Sequence, residues 1–123
     1  WRPFAATVLL EHACDWFEML NLKETPHMMH AIPVKENKKN LIPGVLSRDG
    51  TSRIQTVTEK QNYHYYHLIK SFYEMTNIPM LFNTSFNLAG EVVCHTIDDA
   101  THTLIRSPMN YLYLPEKNVC LRH

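Results

Sequence analysis

Glycine is scarce in this chain, with three residues in 123. There is no Gly-x-x-x-x-Gly-Lys-[Ser/Thr] segment and no Gly-x-Gly-x-x-Gly following a strand pattern, so phosphate loops of the common kinds are excluded; any nucleotide must be held by another device. Cysteine is equally sparse. Cys14, Cys94 and Cys120 are odd in number, far apart and without a Cys-x-x-Cys pair, which argues against a disulfide framework and a closed zinc site and suits a reducing, cytoplasmic setting. Net charge is also missing: twelve Lys plus Arg balance twelve Asp plus Glu. No global field draws in nucleic acid or an anionic membrane surface, so any anion site must be local. No apolar run approaches the roughly 20 residues of a membrane span. Eight histidines are present, but no His-Glu-x-x-His and no His/Cys cluster. Only His64 and His67 share a helical face, so no metal site is expected.

What is present is a 45% hydrophobic chain, enough for one modest core and too short for two independent domains. It opens on Trp-Arg-Pro and reads as a piece of something larger. Phe4 to Leu9 looks like a strand, and Ala13, Phe17 and Leu20 recur at helical spacing within Glu11 to Leu20. His27 to Val34, bracketed by prolines, suits an edge strand, and Lys35 to Asn40 a polar loop. Ser47-Arg48-Asp49-Gly50 signals a turn into a β-branched strand, Thr51 to Thr58. Thr58 to Gln61 has the form of a capping box, ahead of a stripe of Tyr65, Leu68, Ile69, Phe72 and Thr76 that ends near Asn77, before Pro79. Met80 to Phe82 suits a short buried strand. Thr96 caps a helix to about Arg106, with Asp98 and Asp99 in its first turn. Tyr111 to Leu114 is a last strand. The order β-α-β-β-α-β-α-β points to a single layered α/β domain, a mixed twisted sheet with packed helices.

The densest polar cluster runs from Asn83 to Glu91, just past a strand, where open α/β sheets tend to collect ligands. Hydroxyls of Thr84 and Ser85, amides of Asn83 and Asn87, and backbone N–H groups can together form an anion-binding concavity. Ser, Asn and Gly are also ordinary turn residues, so a side-chain-satisfied turn is the plain alternative. Arg53 lies inside a strand, where it is either a solvated charge or a bidentate clamp for phosphate. Arg2, next to Pro3, reads on its own as an exposed terminal charge. Arg48 and Arg106 read as surface charges. Cys94 and His95 are adjacent, poor geometry for a nucleophile and its base.

Three separated segments share one resemblance. Arg2-Pro3-Phe4-Ala5 with Val8-Leu9, Asp49 to Val57, and Phe82-Asn83-Thr84-Ser85-Phe86-Asn87 with Gly90-Glu91 closely resemble, in the same order, the C-terminal region of the nodulation and antibiotic O-carbamoyltransferases. That region is similar to YrdC-like domains, related to threonylcarbamoyl-adenylate synthases, in which a Ser-x-Asn element and a Lys/Arg-Pro element line a nucleotide pocket. Ser85-Phe86-Asn87 matches the first and Arg2-Pro3 the second. Two departures stand out: Val92 replaces the proline usual after Gly-Glu, and basic residues expected upstream of Arg2 are not in the chain.

The resemblance implies that residues 1–123 are the C-terminal part of a YrdC-like domain that makes carbamoyl adenylate from ATP, with accompanying Mg2+, and carbamoyl phosphate. A Kae1-like domain of the same parent, holding iron or another metal, would pass the carbamoyl group to a hydroxyl acceptor. Carried over to this chain, Arg53 and Arg2 bind phosphate oxygens, and Arg53 and Ser85 serve the reaction. Ser85 and Asn87 contact the carbamoyl or phosphate end of the adenylate, and Thr84 is a further nucleotide-binding residue. The isolated piece is expected to be inactive. Readings from other classes are a non-catalytic adenine-nucleotide-binding module and a domain-docking module.

Overall fold

The structure, a computed structural model, describes residues 4–123. The chain divides into two compact units, the first running to Thr84 and the second from Ser85 to His123.

The first unit carries a mixed four-stranded sheet, the layered α/β arrangement the sequence predicts. Its strands are β1 (Ala5–Leu9), β2 (Ala31–Pro33), β3 (Thr51–Val57) and β4 (Met80–Asn83), in the order β2-β3-β1-β4. β1 runs parallel to β3 and antiparallel to β4, and β2 is antiparallel to β3. All five residues of β1 are buried, because both of its faces are covered and both of its edges paired. On one face Ala6, Val8, Ile32, Ile54 and Met80 pack with Ala13 and Trp16 of helix α1 (Leu10–Trp16) and with Phe17. On the other, Leu9, Val57 and Leu81 pack with Tyr65, Tyr66 and Ile69 of helix α2 (Tyr63–Thr76).

Several boundaries differ from expectation for identifiable reasons. α1 stops at Trp16, not Leu20, because Phe17 turns extended and bridges Val34. Glu18 N–H then donates to the Pro33 carbonyl and Lys35 N–H to the Trp16 carbonyl, so strand-like pairing wins over further helix. The expected strand from His27 shrinks to Ala31–Pro33, which leaves His27 and His30 outside it. The expected loop after Lys35 contains a 3-10 turn, Glu36–Leu41. Thr58 and Gln61 do exchange reciprocal hydrogen bonds, but they close a turn of their own. The helix begins at Tyr63 with Asn62 as its cap, accepting from Tyr65 N–H at 3.0 Å. It ends as expected, at Asn77 in the left-handed region. β4 is an edge strand instead of a buried one, with Phe82 62% exposed.

The second unit holds helix α3 (Ile97–Ile105) and an antiparallel hairpin of β5 (Tyr111–Leu114) and β6 (Val119–Arg122). Thr96 caps α3 through a reciprocal pair with Asp99. β6 has no counterpart in the sequence reading; Asn118, with φ 51°, makes the reversal that a glycine would have signalled. No helix among the described residues is long and apolar enough to cross a membrane.

Ile69 is the one α2 side chain fully withdrawn from solvent. Ile69→Ala should therefore cost about 2–5 kcal/mol, read from the urea midpoint; a loss under about 0.5 kcal/mol would mean that other contacts hold α2 to the sheet.

Candidate functional site

The face of the sheet that α2 covers is apolar at one end and polar at the other. Side chains two apart on a strand share a face, so Arg53, Gln55 and Val57 line up on β3, Ala5, Thr7 and Leu9 on β1, and Leu81 and Asn83 on β4. Register then sets the rows. Thr7 pairs with Gln55 on one side and Leu81 on the other. Ala5 pairs with Asn83 and stands one residue before the Ala6–Ile54 pair, level with Arg53. α2 covers the Leu9–Val57 row, and Arg53, at the opposite end, is exposed.

Between these ends lies a hydrogen-bonded triad. Asn83 Nδ2 donates to Gln55 Oε1 at 2.6 Å and to Thr7 Oγ1 at 2.8 Å, and Thr7 Oγ1 lies 3.2 Å from Gln55 Oε1. Gln55 Nε2 in turn donates to the Pro26 carbonyl at 2.8 Å. Thr7 is wholly buried, so its hydroxyl must find partners within the protein. Tyr65 of α2 packs on this face: burial pushes its phenol above the ordinary value, and Thr7 acts in the opposite direction. The triad ties three strands together and holds a rigid polar platform beside Arg53. Among the described residues no ion pair engages Arg53, which leaves its guanidinium free for an anion.

Thr84, exposed, follows Asn83 at the end of β4. Arg2 lies outside the described residues. Ser85 and Asn87 belong to the second unit. Ser85 is exposed. Asn87 is committed to its own loop: its Nδ2 donates to the carbonyls of Leu88 and Glu91, each at 3.0 Å, which leaves a buried Oδ1 with no partner. The loop is closed further by Glu91 N–H to Leu88 and Cys94 N–H to Phe86, with Gly90 at φ 82°. The side-chain-satisfied turn and the offered acceptor thus coexist in Asn87.

Downstream, a polar cleft of about 330 Å³ is lined by Glu91, Cys94, Asp99, His102 and Arg106, among others. Arg106 pairs with Glu91 at 2.7 Å. Cys94 Sγ lies 3.2 Å from Thr103 Oγ1. His67 is engaged by Glu59 at 2.8 Å. Among the described residues no three His, Cys, Asp or Glu side chains converge as a metal site would require.

The sequence reading missed Thr7, Gln55 and Tyr65. A signal existed for two of them: a lone hydroxyl inside an apolar strand, and a glutamine two residues from Arg53 and therefore on its face.

The family model described as carbamoyltransferase C-terminus matches residues 1–120. The chain belongs to the carbamoyltransferase C-terminus family. This member is 39% identical over 113 residues to nodulation protein NolNO of Sinorhizobium fredii, covering 91% of this chain and 17% of the relative. It is 35% identical over 113 residues to nodulation protein NolO of Bradyrhizobium diazoefficiens, covering 91% and 21%. An uncharacterized protein of Methanocaldococcus jannaschii is 36% identical over 112 residues, again covering 91% and 21%. The chain thus spans about a fifth of the length of these relatives.

Two outcomes follow for this carbamoyltransferase segment. Gln55→Ala should cost about 1–3 kcal/mol by removing the acceptor that Thr7 and Asn83 share and the donor to the Pro26 carbonyl, measured by thermal or urea unfolding; an unchanged midpoint would mean that the triad is incidental. Hydrogen bonds from Thr96 and from the N–H groups of Thr96 and His95 hold the Asp99 carboxyl below its ordinary value. Its contribution to the α3 cap is complete above the ordinary carboxylate value and is lost as pH falls through the lowered one. Far-UV circular dichroism should record that acid loss of helix, and Asp99→Asn should abolish its pH dependence.

Proposed function

We propose that this chain is the part of an O-carbamoyltransferase that forms and holds carbamoyl adenylate. The observation that carries the reading is the free guanidinium of Arg53, level with Ala5 and Asn83 beside the Thr7–Gln55–Asn83 triad, in a chain matched over residues 1–120 by a carbamoyltransferase family. The chain is the C-terminal part of a YrdC-like domain, and the parent's Kae1-like domain, with its own iron or other metal, delivers the carbamoyl group to a hydroxyl.

The chemistry balances in two steps. Water cleaves carbamoyl phosphate to carbamate and phosphate. A carbamate oxygen then attacks the α-phosphorus of ATP in line, forming the new P–O bond as pyrophosphate leaves. Charge accumulates on the phosphoryl oxygens, so such a step requires donors and cations in fixed positions more than a protein nucleophile. Arg53 supplies a planar, permanently charged fork for those oxygens, joined by Arg2. Thr84, at the end of β4, contributes a hydroxyl donor. Within the second unit, taken by itself, Ser85 offers a hydroxyl and Asn87 an unpartnered Oδ1 acceptor. Mg2+ would arrive with ATP on its phosphates, since the described donors form no cage for it. The reaction takes place in the cytoplasm, where ATP and three free thiols coexist.

The full-length parent should release pyrophosphate from ATP only when carbamoyl phosphate is present, and Arg53→Ala should abolish that release while leaving the unfolding midpoint within about 0.5 kcal/mol, as for a surface substitution. Normal pyrophosphate release by the variant contradicts the role given to Arg53. Nucleotide binding by the wild-type parent without pyrophosphate release would favour a binding module instead.

A further inference from the structure

The two edges of the sheet are treated differently. At β2 the edge is closed: Pro33 removes a donor, and the segment at Trp16–Glu18 lies along it through the Phe17–Val34 bridge and the bonds at Glu18 and Lys35. At β4 the strand is short, four residues, and carries no other guard of its own. The strand reads Met-Leu-Phe-Asn, without lysine, proline or bulge, the features with which natural proteins guard a free edge. Leu9 N–H donates to the Pro79 carbonyl, so alternation along the antiparallel pair places Thr7–Leu81 and Ala5–Asn83 at bonded positions. The N–H and C=O groups of Met80 and Phe82 therefore turn away from β1.

The same edge is the floor of the apolar slot of the first unit, about 380 Å³ in volume. Phe72 of α2 walls it from one face of the sheet, and Leu41, Pro43 and Val45 wall it from the other. Phe82 is 62% exposed, and its ring lies against Phe4, with centroids 5.4 Å apart. A Cβ on Gly44 would stand 2.7 Å from that ring, so the missing side chain is what lets Phe82 lie down across the slot. Among the described residues of the first unit nothing pairs with these outward groups, and a walled, apolar groove with such a floor has the shape of a strand site: main-chain hydrogen bonds to the edge, alternate side chains into the groove.

We propose that an extended, apolar segment of the same polypeptide, outside these 123 residues, adds to β4 as a fifth strand and seats its side chains in this slot. The source is the parent protein because the chain spans only about a fifth of its relatives and the bare edge continues a sheet whose other edge is already closed. The proposal rests on family membership and not on nucleotide chemistry, so it stands or falls apart from the role of Arg53.

The test is amide hydrogen exchange on the full-length parent, read by fragmentation mass spectrometry across residues 79–84. Met80 and Phe82 amides should exchange slower than unstructured amides by a factor of about 100 or more, alongside Leu81, whose N–H faces β1. Phe82→Pro, which removes the outward N–H, should abolish the protection at Met80, whereas Phe82→Ala, which keeps it, should leave that protection in place. Fast exchange at Met80 and Phe82 with Leu81 protected overturns the proposal. So does protection that appears only in a dimer by sedimentation, since the added strand would then belong to a second copy.

Discussion

A buried hydroxyl governs this structure. Thr7 sits in the middle of a strand that is covered on both faces and paired on both edges, and a hydroxyl left without a partner there would cost about 1–3 kcal/mol. Its partners are Gln55 from the parallel neighbour and Asn83 from the antiparallel one. The requirement to satisfy one group thus couples three strands of mixed direction and fixes the register in which Arg53 comes level with Asn83. A one-residue slip would send Gln55 to the apolar face and Ile54 to the polar one. The same register sets the boundary between the apolar half of the face, under α2, and the half that remains open to a ligand.

A division of labour follows along one sheet face. The packed end, with Leu9, Val57 and Ile69, supplies stability; the triad supplies rigidity; Arg53, with no competing ion pair among the described residues, supplies charge. Within the second unit, the amide of Asn87 pre-forms a loop and the Asp99 cap anchors its exit. Neither device uses glycine-rich phosphate loops or a net positive field, in keeping with a composition that offers neither.

Local signals in the sequence were legible where a single interaction decides the outcome. The Asp49-Gly50 turn, the Thr96 cap and the stop at Asn77 each depend on groups within four residues, and each forms as the residues imply. Pairing between distant segments was not legible. α1 ends early because Phe17 finds Val34, seventeen positions away by residue number, and the hairpin of β5 and β6 reverses at Asn118 without a turn glycine. The exposure of Phe82 depends on β4 standing at a sheet edge, which strand order alone determines. For the site, period-two parity was enough to place Gln55 with Arg53, yet Thr7 and Asn83 join them only through a register that no single segment encodes.

In the proposed function, an adenylate's negative oxygens meet the guanidinium of Arg53 on the polar half of this face. That contact is tested most directly by a crystal structure of the full-length parent with a non-hydrolysable ATP analogue bound. Phosphate oxygens should lie within hydrogen-bond distance of the Arg53 guanidinium; an analogue bound elsewhere, with Arg53 in solvent, removes that role.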